Sequence, residues 1–102
     1  MKLSFEEYQG NAKQTALYPN RLKNLEYPTL GLTGEAGEVA NIVKKIQRDF
    51  GGETTDEIRA KLKDELGDVL WYISACADEL SLTLEEVARF NVEKLAARHQ
   101  RK

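Results

Sequence analysis

The chain has 102 residues and a formal net charge of -2, a length that fits one domain with one modest core, because a chain of this size buries roughly 65% of its unfolded surface. Hydrophobic content of 41% beside 31% charged residues excludes a disordered chain. The near-neutral balance gives no bulk attraction for nucleic acid, and no apolar run is long enough to span a bilayer.

The opening MKLSFEEYQG lacks the apolar core of a secretory signal. The single cysteine, Cys76, cannot close an internal disulfide, so a reducing, cytoplasmic setting is expected. With His99 as the only histidine, imidazole-rich metal sites and Ser-His-Asp triads have little to draw on. Chemistry, if present, is expected of carboxylates.

In chain order, Ser4 followed by Glu7 is a capping-box pattern and predicts a helix over about 4–17. The stretch YPNRLKNLEYPTL, with two prolines, reads as a loop. A second helix is expected over about 29–49, entered just after Pro28 and ended by Gly51-Gly52. Thr54 with Glu57 predicts a third over about 55–80, and Thr83 with Glu86 a fourth over about 83–98. No segment alternates with period two, so strands are not expected. The fold class is all-α, a bundle of four main helices in one domain spanning 1–102.

Helical residues advance by about 100° each, which places the charges against the apolar arc. With Glu38 at zero on the second helix, Ile42, Ile46, Val39, Leu32, Phe50 and Val43 fall at about 40° to 140°. Glu35 falls inside that arc and Glu38 on its border, with Lys45 beside Glu38. On the third helix Ile58, Val69, Leu62, Ile73 and Leu70 form the arc. Glu65 borders it, Asp68 lies outside, and Lys61 and Tyr72 lie between those two. Each helix thus carries an acidic pair, E-x-x-E or E-x-x-D, along one edge of its buried face.

Four converging, partly desolvated carboxylates repel unless their pKa values rise or a cation joins them. Oxygen ligands without sulfur or imidazole favour Mg²⁺, with Mn²⁺ as a substitute. Gly34 and Gly37 flank the first pair and Gly67 sits inside the second, which suggests close approach of a backbone or ligand there. The plainer alternative is that both acidic rows are solvated and paired with surface lysines.

At these residues a family resemblance is visible. GEAGEVA and KDELGDVLWY, with 26 residues from Val39 to Asp64 between the acidic pairs, resemble the E-x-x-E … E-x-x-D signature of the MazG-like, all-α nucleoside triphosphate pyrophosphohydrolases. The likeness continues through SLTLEEVARFNVEKLAAR, while the first helix shares less, mainly Tyr8-Gln9. The resemblance implies Mg²⁺-dependent cleavage of a nucleoside or deoxynucleoside triphosphate between the α and β phosphates, giving monophosphate and pyrophosphate. It implies Glu35, Glu38, Glu65 and Asp68 as metal ligands, one of which also takes a proton from the attacking water, and Glu38 is our choice among the four. It further implies a homodimer or homotetramer.

Asn91 projects into the apolar side of the last helix, among Ala88, Leu95 and Val87, and reads either as a satisfied buried amide or, by resemblance, with Lys94, as a contact to phosphate or sugar. Lys45 and Lys61 either offset phosphate charge or pair with surface acids. Tyr72 either stacks on a base or packs in the core. The competing function is a non-catalytic helical oligomerisation or adaptor module. A di-iron carboxylate bundle is disfavoured because its Glu-x-x-His ligands are missing.

Overall fold

The computed structural model describes residues 2–100, in which four helices and no strand are found: α1 (Phe5–Lys13), α2 (Glu26–Asp49), α3 (Asp56–Glu79) and α4 (Leu84–Gln100). The all-α expectation holds. The chain divides into two compact units, one of Met1–Leu25 with Ser74–Lys102 and one of Glu26–Ile73.

In the first unit, α1 opens on the expected capping box. Ser4 Oγ accepts from the Glu7 N–H at 3.0 Å, and Glu7 Oε1 accepts from the Ser4 N–H at 3.0 Å. The helix ends at Lys13, four residues before the predicted limit, in a run of tightened bonds: Gln14, Thr15 and Ala16 N–H each donate three residues back. Tertiary anchoring overrides helix continuation here, because Ala16 and Tyr18 are both buried.

The loop is fastened to the end of α3. The Glu79 carboxylate accepts from the Tyr18 hydroxyl and from the N–H groups of Leu22 and Asn24, the latter two at 2.7 Å. Asp78, whose side chain is 3% exposed, is met by Arg21 at 3.2 Å and by Lys13 at 3.9 Å. The buried Gln9 amide completes the join. It donates to Asp78 at 2.8 Å and to the Leu82 carbonyl at 3.1 Å, and its oxygen accepts from the Leu84 N–H at 2.8 Å. Gln9 thereby satisfies one of the orphan donors at the start of α4. The other end of that turn uses Ser81 at φ 56°, with the Leu82 N–H returning to the Ala77 carbonyl at 2.8 Å. This is a Schellman-type stop built on serine rather than glycine.

In the second unit, α2 begins at Glu26 rather than after Pro28. Pro28 is accommodated as the third helical residue, where an N–H has no intrahelical acceptor to lose. The C-terminus of α2 is as predicted. Gly51 and Gly52 take φ of 61° and 80°, and the Gly52 N–H reaches the Ile46 carbonyl at 3.0 Å. The cap of α3 is Thr55, one residue later than the Thr54 pattern suggests: its hydroxyl accepts from the Ile58 N–H at 3.2 Å. Ile46 and Ile58 are buried, with Leu32, Val39, Ile42, Leu62, Val69, Leu70 and Ile73 half-buried around them, as the helical wheels require. Val43 and Phe50, placed in the same arc, are 43% and 50% exposed.

Candidate metal centre

The carboxylate site lies wholly in the second unit. Glu35 comes from α2, and Glu65 and Asp68 come from α3 one turn apart. Each offers an oxygen, and the three oxygens lie within 4.8 Å of one another. Glu35 and Glu65 are half-buried because their helical phase turns them toward the facing helix, and Asp68 is exposed. Three of the four expected ligands are therefore together. Glu38 is the exception: it is exposed and outside this group. Its phase on α2 sets it on the border of the apolar arc, where it turns to solvent.

Electrostatics at the cluster are those of crowded acids. A hydrogen bond with Glu35 holds the Glu65 carboxyl above the ordinary glutamate value. Burial and the negative charges of Glu35, Asp68 and Asp64 push in the same direction. Glu65 Oε2 is buried and without a hydrogen-bond partner. Such an oxygen costs free energy unless a proton or cation meets it. The donor set fits a hard divalent cation: three carboxylates, no sulfur or imidazole, and one oxygen without a partner.

Tyr72 follows Asp68 by one turn and is half-buried. Burial first, then the nearby Tyr27, Glu35 and Asp68, raise its phenol above the ordinary tyrosine value. Its ring meets the edge of Trp71, with centroids 5.0 Å apart at 84°. Lys45 and Lys61 are exposed on α2 and α3. The Lys45 charge helps to lower the Asp49 carboxyl, after the Arg48 hydrogen bond that dominates there.

Two expectations need correction, the first only in its backbone half. Gly34, Gly37 and Gly67 have open space where a side chain would project, so no backbone of this chain approaches them closely, and such space is what a ligand would need. The tight approach is at Gly31 instead, against Tyr72. Asn91 does not point into a covered core: it is exposed, as are Val87 and Leu95 at 38% and 48%. An apolar arc shows which side of α4 is greasy, not that this chain covers it. Lys94 is exposed as well, and both residues belong to the first unit.

Sequence reasoning missed Gln9, Arg21, Asp78 and Glu79 as organisers of the first unit. One signal was available. Asp78 and Glu79 sit in the last turn of α3, where the helix dipole disfavours negative charge, so nearby donors had to be expected.

In this all-α frame three acids from a helix pair form one cluster, a donor set that could hold a divalent cation. Residues 24–102 match the model of the MazG nucleotide pyrophosphohydrolase domain, and the chain belongs to that family. It is similar to the Gene 37 protein of Mycobacterium phage L5, 46% identical over 99 residues that span 92% of this chain and 87% of the relative. No solved structure matches it. No helix among the described residues is long and apolar enough to cross a membrane.

Proposed function

We propose that the chain hydrolyses nucleoside or deoxynucleoside triphosphates between the α and β phosphates, using Mg²⁺, with Mn²⁺ as a substitute. The observation that carries this reading is the meeting of Glu35, Glu65 and Asp68 around a buried Glu65 oxygen that lacks a partner, in a chain of this family. Those three residues hold the ion, with Glu38 available from the exposed side of α2. When bound, the ion supplies positive charge that offsets the triphosphate and favours ionisation of water near phosphorus. Glu38, solvated and one turn from Glu35, accepts the proton as water attacks the α phosphorus. The bond to the bridging oxygen breaks and pyrophosphate leaves. Lys45 and Lys61 offset charge on the outer phosphates, and Tyr72 borders the nucleoside. Asn91 and Lys94 are assigned to phosphate or sugar on the strength of the resemblance in the C-terminal segment.

We also infer a homodimer or homotetramer. Phe90 on α4 is 66% exposed and lines one shallow cleft with the exposed Leu82 and Val87, which supports burial against another copy.

Incubation of the protein with each triphosphate and Mg²⁺, followed by separation of products, tests the reading. Monophosphate with pyrophosphate is expected. Diphosphate with phosphate contradicts the assigned bond, and no turnover with either Mg²⁺ or Mn²⁺ returns the chain to the non-catalytic module.

A further inference from the structure

Gly31 stands one turn before Glu35 on α2, and Tyr72 one turn after Asp68 on α3. The two therefore meet immediately beside the carboxylate cluster. A β-carbon built on Gly31 would lie 2.2 Å from Tyr72 Cε1, 2.5 Å from Cζ and 2.6 Å from Cδ1. These separations are far below van der Waals contact, so the ring occupies the space that any other residue at position 31 would fill. The other helical glycines, Gly10, Gly34, Gly37 and Gly67, have nothing within 4 Å of the same position. A helical glycine is unfavourable relative to alanine, so its use at Gly31 has a definite return: it admits the aromatic ring. Trp71 meets that ring edge-on, and the charges of Glu35 and Asp68 both reach its phenol.

We propose that Gly31 is a positioning residue: by leaving room for the Tyr72 ring against α2, it sets an aromatic wall one turn from the acids, against which the nucleoside of the triphosphate rests. The assignment rests on the nucleotide reading above and adds to it a residue that touches neither metal nor substrate. Gly31 acts only through Tyr72. Its effect must therefore vanish when that ring is removed, and must be felt by ligands that carry a nucleoside but not by bare phosphate chains.

The test is a double-mutant cycle on the full chain with Gly31→Ala, Tyr72→Ala and the pair. The probes are the Mg²⁺ complexes of an α,β-methylene nucleoside triphosphate, which resists cleavage, and of inorganic triphosphate. Gly31→Ala is expected to weaken the nucleotide analogue about fivefold to tenfold, the size of one aromatic contact. Tyr72→Ala should weaken it similarly, with the pair no weaker than Tyr72→Ala, and inorganic triphosphate should bind Gly31→Ala as it binds wild type. Losses that multiply in the pair, or a Gly31→Ala chain that binds the analogue like wild type, overturn the proposal while leaving turnover by the wild type intact. Melting of the nucleotide-free variants supplies the second readout. Gly31→Ala should raise the melting temperature in the Tyr72→Ala background, where helix propensity acts alone, and not in the wild type. A wild type that neither binds nor cleaves nucleotide, with that melting pattern present, overturns the nucleotide reading and the assigned role together.

Discussion

Glu65 and Glu79 are both partly buried glutamates, yet their surroundings act in opposite directions. The hydrogen bond with Glu35, burial and neighbouring negative charge raise Glu65. Burial also pushes Glu79 upward, but the Tyr18 hydroxyl, the N–H groups of Asn24 and Leu22, and the Arg21 charge outweigh it and hold Glu79 below the ordinary value. The signs for stability follow. A raised acid contributes stability that is fully present below the unfolded glutamate pKa, about 4.5, and is lost as pH rises through its folded value. Without divalent metal, melting temperature should therefore carry a downward contribution just above that pH, and Glu65→Gln should remove it while abolishing metal binding. A lowered acid contributes stability that is present above the unfolded value and lost as pH falls through its folded one. Glu79→Gln should thus melt earlier at neutral pH and converge on wild type in acid. Melting curves across pH in chelator separate the two. The acid edge of α2 and α3 was legible because helical phase is a local property. Exclusion of Glu38 from the three-oxygen cluster was not, because a residue on the border of an arc turns either way by a few tens of degrees.

At the scale of elements, caps and stops explain where reading succeeded. Ser4 with Glu7 and Thr83 with Glu86 form reciprocal boxes as their spacing predicts. Thr54 and Thr55 are adjacent, and the pattern favoured the wrong one, because the exit path from the Gly51-Gly52 turn decides which hydroxyl meets the helix. Thr55→Ala should accordingly cost about 1 kcal/mol in chemical denaturation, and Thr54→Ala a few tenths at most. Ser81 occupies a left-handed stop that normally belongs to glycine. Ser81→Gly is expected to stabilise by about 1 kcal/mol, read as a shift in denaturation midpoint at constant slope. Early termination of α1 was not legible. Local propensity allows the helix to run on, and what stops it is the anchoring of Tyr18 to Glu79, a contact 61 residues apart in sequence.

For the molecule as a whole, fully buried apolar residues are few, while Leu30, Phe90 and Val92 are between 66% and 71% exposed. A core this thin leaves room for linked equilibria to add to stability. Mg²⁺ should raise the melting temperature at neutral pH by an amount that grows with the logarithm of its concentration, worth about 2.7 kcal/mol at a hundredfold excess over its dissociation constant. Glu65→Gln should abolish that rise. Sedimentation of the wild type against Phe90→Asp tests self-association: a smaller species is expected for the variant. The all-α class was readable from period and caps, since both are local. Whether another copy covers α4 was not, because a sequence pattern records which residues are apolar but not what lies opposite them.

The amide hydrogen of Leu84 is held by the side chain of Gln9, 75 positions earlier. That single proton is a natural sensor of whether the beginning of the polypeptide is docked. In deuterated solvent its replacement should follow detachment of the first helix rather than fraying of the fourth, and Gln9→Ala should speed it while the neighbouring Glu86 amide, guarded locally by Thr83, keeps its own clock.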